Sequence, residues 1–299
     1  MTLPLLTAAV LLTYKTFVFD LDGVLKANSV IAQAPEIVNY LYEKNKEVLF
    51  VSNNDWETAE QRAVSFHKMG FIHAEADDFV NPLQVLDEYF TYKNYSNKTI
   101  YLMAPPAVKT FLEAHFAAKI MKIRRQESEF INFRNLGEEI KIKPDAVIMD
   151  SYNGYSYENL AKAINFVRDP TVEFFVLSGD DRYKPGFDLL MPDSGAFRTI
   201  VETISKRKAI PFGKPSKALN RFLIKEKSLV EKKAIMFGDN LNTDITMANE
   251  LGIDSCLMLT GVHSLDDVKQ ATLAGKKREI PVYQGNFTLL AQELNLLRV

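Results

Sequence analysis

The chain has 299 residues, 47% of them hydrophobic and 25% charged, with a formal net charge of -2. That length accommodates one large α/β domain carrying an insertion, or two modest domains, and the composition is globular rather than disordered. Near-neutral charge gives no electrostatic footprint for nucleic acid or an anionic membrane, and a lone cysteine, Cys256, excludes an intramolecular disulfide and points to a reducing, cytoplasmic setting.

Leu3 to Leu12 is apolar, but no basic residue precedes it, it contains Pro4, and it is too short to span a bilayer. A short N-terminal helix beside the first strand is expected there. Thr16 to Phe19 is an apolar run that stops at Asp20, with Gly23 as a breaker just beyond. A helical pattern follows over Pro35 to Lys44, with Ile37, Val38, Leu41 and Tyr42 on one face. The next buried strand, Glu47 to Val51, ends in Ser52-Asn53-Asn54, and Asp55 is placed to cap the helix that Gly70 stops. Strand signals recur at Thr99 to Met103, Ala146 to Met149 and Glu173 to Leu177. Near the C-terminus Ala234 to Phe237 runs into Gly238-Asp239, a helix pattern through Ile245 and Leu251 closes at Gly252, and a strand over Ser255 to Leu259 ends at Thr260-Gly261.

Strands alternating with helices predict a parallel sheet. The first and last parts share one grammar, so residues 1-93 and 193-299 are expected to form a discontinuous core, with 94-192 inserted as a separate α/β unit. In open parallel sheets ligands bind beyond the carboxyl ends of the strands, where Asp20, Ser52 and Asp239 all fall.

The residue types at those ends match phosphoryl-transfer chemistry. In Asp20-Leu21-Asp22-Gly23 one carboxylate can attack phosphorus in line while the second protonates the leaving oxygen and later deprotonates water. The plainer alternative is a solvated turn. Carboxylate and phosphate repel, so such a site needs a cation, and magnesium suits carboxylate and phosphate oxygens. Asp239 is the direct ligand candidate, while Asp244 either binds a metal water, orients a neighbour, or is an acid at a helix N-terminus. Lys214, in a loop before a helix that Ser216 can cap, can neutralise the nucleophile and the transferring phosphoryl group, although a lone lysine is ordinarily a solvated surface group. Ser52 and the Asn53 backbone N–H can hydrogen-bond phosphate oxygens or form a simple capping loop.

The joint order strand-DxDG, strand-SNN, GKP before a helix and strand-GDxxxxD resembles the haloacid dehalogenase-like (HAD) hydrolase superfamily. More narrowly, it is similar to the branch with a C2-type cap between the second and third motifs, the para-nitrophenylphosphatase, phosphoglycolate phosphatase, pyridoxal phosphatase and NagD-like group. Leu257 to Val262 is similar to that branch's LVLTGV segment.

The resemblance implies a Rossmann-like parallel-sheet core with an inserted α/β C2-type cap, and a magnesium-dependent phosphatase acting on a small phosphorylated metabolite through a phosphoaspartyl intermediate. Asp20 is then the nucleophile and a magnesium ligand. Asp22 is the acid/base, with its main-chain carbonyl on magnesium. Ser52 and Asn53 bind phosphate, Lys214 neutralises charge, Asp239 ligates the metal and Asp244 supports it. Relatives of this branch often dimerise through the cap, which implies a homodimer; no nucleic-acid or membrane partner is implied.

Three departures stand out. Lys26 stands where relatives often have Trp or Tyr, Ser52 where they have Thr, and Ser178-Gly179-Asp180-Asp181 where they have a TNPD-like turn. The alternative function is a non-catalytic protein of this fold that binds a phosphorylated metabolite or partner. A two-component receiver would not need the insert, and displacing halide would not need Asp22.

Other residues are read as structural. His67, His73, His115 and His263 lack spacing for a shared metal, and Cys256 is expected to be buried and inert. Arg124-Arg125 is expected to be solvated, and Tyr152, Tyr155 and Tyr157 are expected to pack between cap and core.

Overall fold

Thr16–Phe19 forms a strand in which all four residues are buried, so both faces must be covered. It lies between two parallel neighbours, with Phe19 in register with Phe237 on one side and Phe50 on the other. The computed structural model describes residues 3–121, 123, 131–186, 189–229 and 233–297.

The first sheet has six parallel strands in the order Tyr283–Gly285, Asp254–Met258, Ala234–Gly238, Thr16–Phe19, Glu47–Val51 and Phe79–Val80. From the strand Thr16–Phe19 the chain moves outward to one side, then returns late in the sequence to build the other. The strand order therefore reverses beside Asp20, the place where a crevice opens in such sheets. Phe19 stacks on Phe237 at 4.8 Å between ring centroids and Phe50 on Phe79 at 4.7 Å, which ties these strands together on one face.

A second sheet of five parallel strands runs in the order Ile210–Pro211, Glu173–Val176, Ala146–Met149, Thr99–Met103 and Lys119–Ile120. An antiparallel hairpin, Arg182–Gly186 with Leu189–Pro192, follows its strand Glu173–Val176. One apolar cluster joins the two sheets through Val18, Val51, Phe90, Ile148, Phe175 and Phe212. The far face of the second sheet has its own cluster, which includes Tyr101, Met149, Phe174 and Val201.

The fold differs from the sequence reading in two places. The helix Ser194–Ser205 buries Val201 in that second cluster and Ile210–Pro211 pairs with Glu173–Val176, so elements beyond Pro192 belong by packing and hydrogen bonding to the second sheet. The break at Pro192 ends a hairpin, not the unit. The helix after Ser52 is capped by Thr58 rather than Asp55, because Thr58 and Gln61 form a reciprocal capping box at the start of Ala59–Lys68. Asp55 is instead buried near Arg62, which donates to the Asn54 carbonyl at 2.8 Å.

The N-terminal helix covers only Ala8–Leu11, and Leu6 donates to the Gln284 carbonyl at 3.0 Å. The segment before this helix fills the open edge of the strand Tyr283–Gly285, where unpaired backbone groups are available, while Leu6 and Leu11 join the apolar cluster of Phe17 and Phe19 on the first strand. No helix among the described residues is long and apolar enough to cross a membrane.

Candidate active site

The parallel register brings the ends of three central strands level, and each carries a motif residue just beyond its last pair. Asp20 follows Phe19, and its N–H donates to the Phe237 carbonyl at 2.9 Å, so the carboxylate leaves the sheet at a fixed point. Lys214 arrives from the other direction, on the loop between Ile210–Pro211 and the helix Lys217–Glu226 that Ser216 caps. Its side chain is 2% exposed, and its Nζ lies 2.5 Å from Asp20 Oδ1, 2.7 Å from Asp244 Oδ1 and 2.8 Å from the Val51 carbonyl.

Asp244 sits in a wide, π-type turn, Leu241–Ile245, and its Oδ2 accepts from the Asp239 and Asn240 N–H groups, both at 3.1 Å. It thus closes the turn after the strand Ala234–Gly238 while holding Lys214 from behind. Asp239 Oδ2 accepts from the Val262 N–H at 2.7 Å. A Cβ at Gly23, where φ is +90°, or at Gly261 would collide with the Asp239 carboxylate, so these glycines make the cradle that admits it.

Oxygens of Asp20, Asp239 and Asp244 lie within 4.8 Å of one another. These residues fit a hard divalent cation. They offer only oxygen donors, they crowd three buried carboxylates against one ammonium, and Asp244 Oδ1, although ion-paired with Lys214, makes no hydrogen bond.

The charge imbalance appears in the proton affinities. Burial pushes the Asp20 carboxyl up to about 8; the Lys214 ammonium pulls it down, and Asp244 and Asp22 push it up. Asp239 is raised well above the usual range by burial and then by Asp20 and Asp244. Burial alone would lower Lys214, but the charges of Asp20, Asp244 and Asp180 outweigh it and keep the ammonium protonated.

All seven residues singled out from the sequence, Asp20, Asp22, Ser52, Asn53, Lys214, Asp239 and Asp244, line one cavity of about 870 Å³. Asp22 is at its more open side, with its side chain 53% exposed and 2.7 Å from Lys26 Nζ, so the departure at Lys26 sets an ammonium on this carboxylate. Ser52 is buried, and its Oγ accepts from the Asn54 N–H at 3.1 Å, leaving its O–H able to donate. The Asn53 side chain grips the lysine loop: Oδ1 accepts from the Lys214 N–H at 2.7 Å and Nδ2 donates to the Lys214 carbonyl at 3.1 Å.

The sequence reading missed Trp56, Tyr183 and Asn240, which also line the cavity, and the part played by Asp180. Asp180 accepts from Asn53 Nδ2 at 2.9 Å and from Asn240 Nδ2 at 3.1 Å. The only signal for it was the unusual turn Ser178 to Asp181. The three tyrosines do not form one layer between cap and core, although Tyr152 and Tyr155 meet edge to face at 5.8 Å between ring centroids. Tyr152 lines the cavity, Tyr155 stacks on Phe197 at 4.1 Å within the second unit, and Tyr157 is 70% exposed. His263 backs the site, with Nδ1 accepting from the Leu241 N–H at 3.3 Å and its pKa lowered by burial. Cys256 is buried in its strand, which pushes its thiol pKa up. Arg124-Arg125 lies outside the described residues.

Known proteins resemble this chain over most of its length. A family model described as haloacid dehalogenase-like hydrolase matches residues 17–116, and one described as HAD-hydrolase-like matches residues 211–280. A Caenorhabditis elegans protein described as a NipSnap protein is 32% identical over 81% of this chain, and the chain spans about half (47%) of that relative's length. Mouse chronophin is 27% identical over 89% of this chain and 87% of its own. Among solved structures, a glycerol phosphate phosphatase from Mycobacterium tuberculosis in complex with magnesium superposes with a TM-score of 0.71 at 22% identity, covering 98% of this chain and 80% of that one.

Proposed function

Because the chain belongs to the haloacid dehalogenase-like hydrolases, we propose that it is a magnesium-dependent phosphatase that hydrolyses a small phosphate monoester through a phosphoaspartyl intermediate on Asp20. The observation that carries this reading is the meeting of Asp20, Lys214 and Asp239, from far-apart parts of the sequence, at one wall of one cavity.

Asp20 and Asp239, with the main-chain carbonyl of Asp22, would hold the magnesium ion, and Asp244 supports it from behind. When bound, the ion supplies positive charge that lets a carboxylate and a phosphate approach each other. Asp20 attacks phosphorus in line and the bond to the leaving oxygen breaks, while Asp22 delivers a proton to that oxygen. Asp22 then removes a proton from a water that attacks the phosphoaspartyl group, releasing phosphate and regenerating Asp20. Lys214 neutralises Asp20 and the transferring phosphoryl group, and Ser52 and the Asn53 N–H hold phosphate oxygens.

The residues of the insert, 94-192 as read from the sequence and carried on to Pro211 by the pairing of its last strand, act as a C2-type cap over the core formed by the rest. The cap encloses the leaving group, which favours a small phosphorylated metabolite in the cytoplasm over a bulky macromolecular ester, and neither nucleic acid nor a membrane is a partner. Exposed Leu189 and Leu190 on the cap hairpin and Ile204 on the neighbouring helix support a homodimer through the cap. A non-catalytic binding role would not require both acids, the lysine and the metal aspartates together.

The test is phosphate release from para-nitrophenyl phosphate with magnesium. Asp20→Asn is expected to lower turnover by about a thousandfold or more while preserving the fold. Chelator should abolish wild-type turnover and magnesium restore it. Equal turnover in the two proteins, or turnover that persists in excess chelator, refutes the reading.

A further inference from the structure

The chemistry above leaves two carboxylates of the cavity without a task, Asp193, which caps the helix Ser194–Ser205, and Asp180. Asp180 lies on the turn that leaves the cap strand Glu173–Val176, and that turn is pressed onto the lysine loop. A Cβ at Gly179 would collide with the Lys214 carbonyl, and one at Gly213 with the Leu177 carbonyl and Asn53 Oδ1. Only glycine at both positions allows so close an approach, which brings Asp180 to the two core loops at once.

Its two oxygens are divided between them. Oδ2 takes the Asn53 amide at 2.9 Å, and Oδ1 takes the Asn240 amide at 3.1 Å. A carboxylate only accepts, so it compels each asparagine to turn its NH2 toward it and its carbonyl oxygen away. For Asn53 the oxygen then meets the Lys214 N–H at 2.7 Å. For Asn240 the oxygen meets the Asn242 N–H at 2.9 Å, capping the turn that carries Asp244. Lys214 and Asp244 are the two groups that hold each other at 2.7 Å beside the nucleophile.

We propose that Asp180 is a positioning residue for phosphoryl transfer: by orienting the Asn53 and Asn240 amides it sets the main chain of Lys214 and the turn of Asp244, so that the Lys214 ammonium stays aligned on Asp20. The proposal rests on the phosphatase reading. A purely structural pin between cap and core would make the same hydrogen bonds, yet its loss would lower stability without a selective effect on turnover.

The experiment uses the full chain with magnesium and para-nitrophenyl phosphate. Asp180→Ala is expected to lower kcat by about 10–100-fold, since a small misplacement of a catalytic group has an effect of that order, with KM within about threefold. Asp180→Asn preserves shape but presents an NH2 to one of the two donors, so it should recover only part of the loss. If the alanine variant does not fold, the asparagine variant carries the comparison. A double-mutant cycle with Asn53→Ala separates the roles: in that background, removing the Asp180 carboxylate should lower kcat by clearly less than in wild type, the remainder passing through Asn240. The proposal is overturned if both Asp180 variants keep kcat within threefold of wild type, or if the loss is equally large with and without Asn53. Wild-type protein that releases no phosphate under any magnesium concentration would overturn the phosphatase reading and this inference with it, an outcome distinct from active enzyme indifferent to Asp180.

Discussion

Replacing Lys214 by methionine keeps most of the side chain's length and apolar stem and deletes only the ammonium. In the structure that ammonium contacts Asp20, Asp244 and the Val51 carbonyl within 2.5–2.8 Å, at a position 2% exposed. Its loss leaves two buried carboxylates facing each other. Breaking a buried ion pair from one side costs about 3–5 kcal/mol. With an unfolding entropy of about 2 cal/mol/K per residue, a chain of 299 residues loses about 5–8 °C of melting temperature.

The effect on rate follows from the same geometry. Deleting a preorganised charge aimed at the reacting group lowers kcat by about 10²–10³. The folded state raises the pKa of Lys214, so its stabilisation is complete at neutral pH and fades only in strong alkali. Scanning calorimetry of the metal-free proteins at pH 7, with turnover of para-nitrophenyl phosphate, reads both quantities. A variant that melts within 1 °C of wild type and keeps kcat within threefold would refute the assignment of Lys214 as the site's charge partner.

Gly261→Ala places a methyl group against the Asp239 carboxylate, which must then leave the Val262 N–H. Magnesium affinity measured by calorimetry is expected to fall by about 10–100-fold, and unchanged affinity would remove Asp239 from the metal site. In the metal-free protein, Asp180 is raised to about 6, Asp55 to about 7 and Asp20 to about 8, each chiefly by burial. These groups bind protons in the folded state that the unfolded chain has released, so stability should fall as pH rises from about 4 to 8. His263, lowered by burial, opposes this as a single group. Saturating magnesium should flatten the slope, and a melting temperature that is level or rising from pH 5 to 8 without metal would contradict the charge imbalance argued here.

Much of this protein was legible from its residues because the signals are local. Thr16–Phe19, Glu47–Val51 and Ala234–Gly238 are short apolar runs that end abruptly in polar residues, and a parallel sheet delivers such ends to one edge whatever the loops between them do. Asp20, Ser52 and Asp239 could therefore be placed together, and the spacing of Lys214 before its capped helix brought in the fourth member. Local rules also failed where two of them competed. Asp55 and Thr58 are both sound helix caps, and the reciprocal bonds of Thr58 with Gln61 decided between them.

Long-range contacts settled the rest. The polar break at Pro192 reads as a domain limit, but the partner of Ile210–Pro211 is a strand more than thirty residues earlier, which no local pattern announces. The tyrosines at 152 and 155 meet edge to face, one on the cavity wall and one in the cap interior, whereas Tyr157, where a helix begins, faces solvent. Asp180 is the sharpest instance. Its turn looked like a defect in a motif, and its meaning depends on Asn53 and Asn240, which lie 127 and 60 residues away and meet it only once the cap is packed on the core. Strand ends are determined by short-range hydrophobic pattern, whereas the partners of a side chain beyond them are determined by how two sheets settle against each other.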